Sequence, residues 1–407
     1  MNNANVLLGV LILALLGGCN SMDAVDTNLV YPQLSCEGQV SNARASAATK
    51  ALFKGLLRLS CGAQPGVLSG QNAGHGDQIN DQNSIMGYAQ SVQGVIDRTG
   101  KVPAILGLDY EHDRIYSPSQ LSSANATLIA HAKAGGIVTI NWAPLSPWVN
   151  DASDLINHPG DWLETRTEFN NPDGKARYIN LSELLTEGQP ANRVWRKRLD
   201  GVADALGQLQ AAGVPVLWRP LQEMGGTHFW WGANVPLEDG AGYRALWRDM
   251  YQYLTEAKQL NNLLWVYSPE AAERPGRGVF WAYPGDDVVD VLAPTAYSLS
   301  LELPSYSTFV IKARATSKPL ALAEYGPPVW GEGYEPVLPD SPLSFDARRY
   351  ARLLKDYPEV AYWVSWHSYY ADDRRVTRLS LSASDHIPEL FATRGILSRA
   401  DTGFLRP

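Results

Sequence analysis

Residues 214–223 read Val-Pro-Val-Leu-Trp-Arg-Pro-Leu-Gln-Glu, a nearly continuous apolar run that ends in a carboxylate. Residues 319–325 follow the same pattern, because Pro-Leu-Ala-Leu-Ala-Glu-Tyr places Glu324 at the end of an apolar run, as Glu223 ends the first one. Runs of this kind are typical of parallel strands that are buried on both faces. A charged side chain that closes such a strand fits core packing poorly, so we expect both glutamates at the rim of a parallel sheet.

Similar runs recur along the whole chain and indicate the fold class. The eight runs are residues 66–71, 102–109, 136–142, 214–223, 262–268, 288–297, 319–325 and 360–367. Amphipathic stretches lie between them, and the clearest are residues 192–212, 241–260 and 345–357. Eight alternating βα units predict an α/β fold, a (β/α)₈ TIM barrel that forms a single catalytic domain, and 407 residues are enough for it.

The N-terminus has the features of an export signal. Residues 6–16 form an apolar run that is too short to cross about 30 Å of hydrocarbon as a helix, which is typical of a signal peptide. The run ends in Leu16-Gly17-Gly18-Cys19, which resembles the lipobox of bacterial lipoproteins. The resemblance implies that Cys19 is lipidated and becomes the first residue of the mature chain. The alternative is an ordinary secretory signal, since residues 1–5 contain no Lys or Arg.

The signal and the pattern of runs that follows it together predict the domain bounds, and the lipobox resemblance implies the location. We expect a lipoprotein signal peptide at residues 1–18, a tether with a lead-in helix at residues 19–60 and the barrel at residues 61–407. Asn20, where retention in the inner membrane would favour Asp, implies a lipid anchor in the outer membrane of a Gram-negative bacterium.

Composition limits the classes of partner. The net charge is −8 and the isoelectric point is about 5.4, with no basic run, so nucleic acid is not an expected partner. Besides Cys19 there are only Cys36 and Cys61, which we expect to form a disulfide in an oxidising compartment. The cysteines and histidines lack metal-ligand spacing, so we expect no metal. We also expect no other cofactor and a monomeric chain.

The two strand-end glutamates suit one kind of chemistry. On a barrel, residues at the carboxyl ends of the strands meet at one face, where active sites lie. Cleavage of a glycosidic bond uses two carboxyl groups, which stand about 5 to 5.5 Å apart in retaining enzymes. We therefore expect Glu223 to be the acid/base and Glu324 the nucleophile. The alternative for each glutamate is a structural ion pair at the barrel rim.

Residues 218–232, Trp-Arg-Pro-Leu-Gln-Glu-Met-Gly-Gly-Thr-His-Phe-Trp-Trp-Gly, resemble the acid/base segment of glycoside hydrolase family 26. Shorter matches to this family follow the chain order and are residues 68–71, 136–140, 283–286, 289–290 and 323–326. The family is chiefly composed of retaining β-mannanases on TIM barrels. The resemblance implies endo-type hydrolysis of a β-linked polysaccharide, with β-1,4-mannan or a related β-glycan as the substrate.

The resemblance also suggests roles for further residues. Arg219 and Tyr297 would keep Glu324 ionised and oriented. Sugar-binding positions would be Gln222, Trp142, Trp148, Trp162, His228, Trp230, Trp231 and Trp366. Core packing is the alternative for each tryptophan. The long connection at residues 144–192 is expected to form a substrate-binding wall, and Asp109, Glu111 and His112 could reach a distal sugar.

Three departures from the family pattern concern specificity. Gln222 and Ala143 stand where the family usually has histidine, and Thr295 stands where Asp is common. These changes leave open hydrolysis of β-1,3-xylan, mixed-linkage glucan or an exopolysaccharide. They also leave open a surface lipoprotein that binds glycan without cleaving it.

Overall fold

Eight parallel strand positions, each built from one of the apolar runs, form a closed barrel. The computed structural model describes residues 33–75, 88–110, 118–144, 146–148, 168–170, 176–178, 180–226, 229–232, 240–274, 276–328, 345–368, 370–372, 375–376 and 378–407. The strands of the barrel are β1 (Val67–Leu68), β2 (Gly70–His75), β3 (Ile105–Asp109), β4 (Ile137–Trp142), β7 (Val216–Pro220), β8 (Leu263–Tyr267), β9 (Val291–Leu292), β10 (Thr295–Tyr297), β11 (Leu320–Leu322), β12 (Glu324–Gly326) and β13 (Val360–Trp363). Outside the barrel lie β5 (Glu168–Asn170), β6 (Ala176–Tyr178), β14 (Tyr370–Asp372) and β15 (Arg375–Val376), and β16 (Ile396–Leu397) pairs in parallel with β1 at the edge of the same sheet.

Parallel pairing follows the order of the chain and returns to its start. The order runs β2-β3-β4-β7-β8-β9-β11-β13-β1, and β10 pairs with β12. Because β1 and β2 are consecutive parts of one run, the contact of Leu68 with Tyr362 closes the ring. Gly70 permits this closure, since a Cβ there would lie 2.5 Å from the carbonyl oxygen of Trp363. The predicted TIM barrel is thus confirmed.

Helices occupy the predicted intervals, with different ends. They are α1 (Ala47–Ser60), α2 (Gly94–Thr99), α3 (Pro118–Lys133), α4 (Ser182–Leu185), α5 (Pro190–Ala211), α6 (Ala241–Gln252), α7 (Tyr306–Thr316), α8 (Leu353–Asp356) and α9 (Ile387–Ala392). Helix α1 begins after Ser46, whose side chain caps the backbone N–H of Thr49. The run at residues 241–260 changes to a π-helical turn at Tyr253–Ala257, and Ala347–Arg352 is a 3₁₀ helix.

The lead-in segment packs as part of the barrel. Gln33–Pro407 forms one unit, and α1 lies where the lead-in helix was expected. The disulfide between Cys36 and Cys61, with Cα atoms 5.4 Å apart, joins this segment to the end of α1. None of the helices among the described residues has the length and apolar character of a membrane span.

Candidate active site

The chain leaves β7 through an unusual turn that presents Glu223. Leu221 and Glu223 both adopt positive φ, 51° and 54°, a conformation that non-glycine residues rarely take. Both positions stay hydrogen-bonded to the neighbouring strands. The N–H of Leu221 donates to the carbonyl of Trp142 at 3.0 Å, and that of Glu223 donates to the carbonyl of Ser268 at 2.8 Å. This anchoring offsets the backbone strain and fixes the Glu223 backbone at the C-terminal face of the barrel.

Aromatic side chains hold the carbonyls of the same turn. Tyr243 donates its hydroxyl to the carbonyl of Leu221 at 2.8 Å, and the Trp231 indole donates to the carbonyl of Gln222 at 2.8 Å. Just beyond, the N–H of Gly225 donates to a carboxylate oxygen of Glu270 at 3.0 Å. The turn is therefore fixed on both of its sides.

Glu324 begins β12 and is held by two side chains. It is 6% exposed. The Nη2 atom of Arg219 lies 2.6 Å from its Oε1 atom, and the hydroxyl of Tyr297 donates to its Oε2 atom. Tyr297 is close because β10 and β12 pair with Thr295 opposite Glu324. Both carboxylate oxygens are thus fixed, as a nucleophile requires for a defined direction of attack.

Burial and charge act on Glu324 in opposite directions. Burial is the largest effect and raises the pKa of Glu324, and the nearby Glu223 raises it further, while Arg219 and Tyr297 lower it. The net effect raises the pKa of Glu324 above its usual value. Its carboxyl group is therefore ionised, as a nucleophile must be, only at a higher pH than an ordinary glutamate. Burial works to lower the pKa of Arg219, but Glu324, Asp109 and Glu223 raise it, so the guanidinium stays charged.

Trp366 and Gln222 complete the described part of the site. The Trp366 ring is partly exposed and lies 5.5 Å from the guanidinium carbon of Arg219, next to the nucleophile. Gln222 is 4% exposed, and among the described residues its Oε1 atom has no hydrogen-bond partner. A buried acceptor of this kind is suited to a sugar hydroxyl.

Three of the predicted sugar-binding tryptophans are buried supports, which corrects their assignment. Trp142, Trp230 and Trp231 are fully buried, so they present no face to a sugar. The Trp142 ring lies 5.5 Å from the ring of Trp195 and stacks against it. Trp230 donates its indole N–H to the carbonyl of Pro144 at 2.7 Å.

Trp148 differs, because its ring is partly exposed. Its indole N–H donates to Glu183 at 3.0 Å. Other predicted positions lie outside the described residues, namely Cys19, Glu111, His112, Trp162, His228 and most of the connection at residues 144–192. Their assignments remain predictions.

Asp109 lies inside the barrel and not at a distal sugar site. Its side chain is fully buried and accepts a hydrogen bond from Asn72 at 3.1 Å. His367 lies 3.8 Å from the same carboxylate. In the sequence, Asp109 stands at the end of an apolar run, which predicts the end of a strand. That position does not show that Asn72 and His367, from other parts of the barrel, lie beside it. Among the described residues, no group of three or more His, Cys, Asp or Glu side chains is arranged to hold a metal ion.

On this TIM barrel Glu223 follows β7, and Glu324, held by Arg219 and Tyr297, begins β12. A pair of carboxyl groups on one barrel is the arrangement that glycoside hydrolases use. Comparison with known proteins narrows the class. The profile of glycosyl hydrolase family 26 matches residues 41–332. The chain belongs to glycosyl hydrolase family 26.

Individual relatives agree with this assignment. The chain is 32% identical over 357 residues to mannan endo-1,4-beta-mannosidase A and B of Caldalkalibacillus mannanilyticus, covering 83% of this chain and 61% of that protein. It is 28% identical to a mannan endo-1,4-beta-mannosidase of Bacillus subtilis, covering 88% of this chain and 87% of the relative. A solved Bacillus subtilis mannanase shares the fold with a TM-score of 0.68 at 24% identity, covering 89% of this chain and 96% of that one.

Proposed function

We propose that the protein is a retaining, endo-acting hydrolase of β-1,4-mannan or a closely related β-glycan. The observation that carries the proposal is the clamp of Arg219 and Tyr297 on the two oxygens of Glu324. Glu223 lies near enough to raise the pKa of the same carboxyl. The names of the relatives above supply mannan as the first substrate to test.

The arrangement can carry out a double displacement. Glu324 attacks the anomeric carbon while protonated Glu223 gives its proton to the departing glycosidic oxygen, so that one C–O bond forms as another breaks. Glu223, now a carboxylate, then removes a proton from water, which attacks the same carbon and releases Glu324. Trp366 offers an apolar ring beside Arg219, where the sugar at the cleavage point would lie.

A second candidate substrate class is favoured by two residues of the pocket. Ala143 is fully buried and provides no polar side chain, and Gln222 provides a buried amide. A site that leaves a buried polar group unpaired loses about 1–3 kcal/mol per group, which is enough to change the preferred sugar. β-1,3-xylan and mixed-linkage glucan are the alternatives with the same chemistry.

A panel of oligosaccharides tests both candidates. The values of kcat/KM are compared on manno-, β-1,3-xylo-, mixed-linkage gluco- and cello-oligosaccharides, with Glu324→Ala as the inactive control. Gln222→His restores the residue usual in the family, and Gln222→Ala is its matched control. We expect cleavage of manno-oligosaccharides and a larger effect of Gln222→Ala than of Gln222→His. Hydrolysis of another glycan but not of manno-oligosaccharides would show that mannan is not the substrate. Binding of glycan without any hydrolysis would favour a non-catalytic lipoprotein.

We also propose that Cys19 carries a lipid that anchors the protein to the outer membrane. Two facts support this: the lipobox-like residues 16–19, and the pairing of Cys36 with Cys61, which leaves Cys19 as the remaining cysteine of three. Metabolic labelling with an alkyne fatty acid tests it, with Cys19→Ser as the control. Equal labelling of both proteins would contradict the anchor. Light scattering of the purified protein tests the proposed monomer.

A further inference from the structure

The turn that carries Glu223 is attached at two points to the segment that follows β8. The N–H of Glu223 donates to the carbonyl of Ser268 at 2.8 Å. Further along both segments, the N–H of Gly225 donates to the Oε2 atom of Glu270 at 3.0 Å. The N–H of Gly226 closes the turn by donating to the carbonyl of Glu223 at 2.9 Å. The Glu270 side chain therefore holds the same short turn in which the backbone of Glu223 lies.

The backbone of Glu270 is fixed by the strand that lies beside the nucleophile. Glu270 pairs in parallel with Thr295 of β10, and the N–H of Ala271 donates to the carbonyl of Thr295 at 2.8 Å. Thr295 is also the residue of β10 that is in register with Glu324. A continuous path of strand pairing and hydrogen bonds thus leads from Glu324 through Glu270 to the turn of Glu223.

The contact between Glu270 and the turn is close on both of its sides. The Glu270 side chain is 18% exposed, and the Nη2 atom of Arg274 lies 3.6 Å from its Oε1 atom. Both carboxylate oxygens therefore have a partner, one in Arg274 and one in the backbone of Gly225. A Cβ atom at position 225 would lie 2.7 Å from the Oε2 atom of Glu270, so the contact in this form requires glycine there.

We infer that Glu270 is a positioning residue that fixes the turn of Glu223 relative to the nucleophile strand, so that the Glu223 carboxyl group meets the leaving oxygen. The inference rests on the proposed function. Proton transfer requires the acid to lie within hydrogen-bond reach of the oxygen that it protonates. A misplacement of about 1 Å can reduce the rate about 10²-fold. Loss of the Glu270 carboxylate should therefore slow the step in which Glu223 gives up its proton.

Two substitutions of Glu270 test this role. Glu270→Ala removes the acceptor for the N–H of Gly225, whereas Glu270→Gln keeps an oxygen that can accept it. On manno-oligosaccharides we expect kcat/KM to fall about 10- to 100-fold in Glu270→Ala and less than about fivefold in Glu270→Gln. On a dinitrophenyl β-mannoside, whose leaving group needs no proton, Glu270→Ala should lose less than about fivefold. Equal losses on both substrates, or no loss on oligosaccharides, would overturn the inference.

The matched control is Glu359→Ala. The Glu359 side chain is 17% exposed and is ion-paired to Arg314, but it precedes β13 and so lies at the opposite end of the barrel from the site. This variant should lose stability in urea unfolding and leave the ratio of the two kcat/KM values unchanged. An equal change of that ratio in Glu359→Ala and Glu270→Ala would show a general loosening of the barrel and would contradict the assignment.

A direct contact of Glu270 with a sugar would also reduce activity on oligosaccharides, and the Glu223→Ala background separates the two roles. A positioning residue acts through Glu223, so adding Glu270→Ala to Glu223→Ala should change kcat/KM on oligosaccharides by less than about twofold. A residue that binds the sugar would cost the same factor in both backgrounds. That additive result would sink the positioning role.

Gly225→Ala disturbs the same contact from the other side and is used if Glu270→Ala does not fold. Its Cβ would displace the end of the flexible Glu270 side chain. We expect the same selective loss on oligosaccharides as in Glu270→Ala. Equal losses on the two substrates in this variant would again speak against the inference.

A measurement that needs no activity separates failure of this inference from failure of the proposed function. Hydrogen exchange of the Gly225 amide is followed by NMR in the full chain with isotopically labelled glycine. Exchange should be at least about tenfold faster in Glu270→Ala than in the unaltered protein, because the amide loses its acceptor. An unchanged rate would refute the inference even if the enzyme cleaves mannan, whereas absence of hydrolysis on every glycan would refute the proposed function.

Discussion

Replacing Arg219 with methionine keeps much of the side-chain volume and removes the guanidinium that faces Glu324. The two side chains are 3% and 7% exposed and 2.6 Å apart, so water cannot take the place of the lost partner without rearrangement. Removing one partner of such a buried pair costs about 3–5 kcal/mol of folding free energy. We expect Arg219→Met to lose stability in this range near neutral pH.

The sign of the pH dependence follows from Glu324. Its pKa is already raised by burial, and Arg219 is the largest influence that lowers it. Without Arg219 the pKa of Glu324 rises further, so the folded variant holds a proton that the unfolded chain releases above about pH 4.5. The unaltered folded protein also holds this proton until its own raised pKa, so the stability of the variant relative to the unaltered protein should fall as the pH rises through the pKa of Glu324 in the unaltered protein. In more acidic solution, where Glu324 is protonated in both proteins, the difference should shrink.

Urea unfolding of the unaltered protein, Arg219→Met, Glu324→Gln and the double variant forms a double-mutant cycle. We expect a coupling energy of about 2–3 kcal/mol near neutral pH and a smaller one in acid. Activity of Arg219→Met should fall by a factor on the order of 10²–10³. A coupling energy within about 0.5 kcal/mol of zero would refute the view that the pair acts as a unit.

Three further predictions concern the acid, the nucleophile's second partner and the disulfide. Glu223→Ala should reduce kcat/KM by about 10²–10⁴ on oligosaccharides and much less on dinitrophenyl glycosides, and equal losses would argue against its role as the acid. Tyr297→Phe removes a hydrogen bond that lowers the pKa of Glu324, so the acidic limb of the kcat/KM profile should move to higher pH, and an unchanged limb would contradict this. Replacing Cys36 and Cys61 by serine should cost about 2–4 kcal/mol in urea unfolding, and a loss near zero would show that the segment is held by packing alone.

The barrel could be predicted because parallel strands that are buried on both faces have nearly continuous apolar sequences. Eight such runs alternate with amphipathic stretches, which is the pattern of βα units. Glu223 and Glu324 could be placed for the same reason, since each closes such a run. Helix ends were less accurate, because the cap at Ser46 and the π-helical turn at Tyr253–Ala257 depend on local hydrogen bonds that apolar periodicity does not report.

The tryptophan assignments show what the sequence could not separate. An aromatic side chain fits a sugar platform and a buried layer equally well. Strand alternation held a usable signal, because Asn141 faces the barrel interior and Trp142, one residue later, must face the helices. The register that places Asp109 opposite Asn141, and Asn141 opposite Arg219, could not be predicted in this way. It depends on the stagger of neighbouring strands, which is set by the whole closed barrel.

The anomeric configuration of the first product tests the central claim most directly. Proton NMR during hydrolysis of a manno-oligosaccharide distinguishes the newly formed α and β reducing ends before they interconvert. Double displacement through Glu324, with Glu223 as acid and then base, predicts that the β anomer forms first. Initial formation of the α anomer, or no hydrolysis of the oligosaccharide at all, would contradict the account.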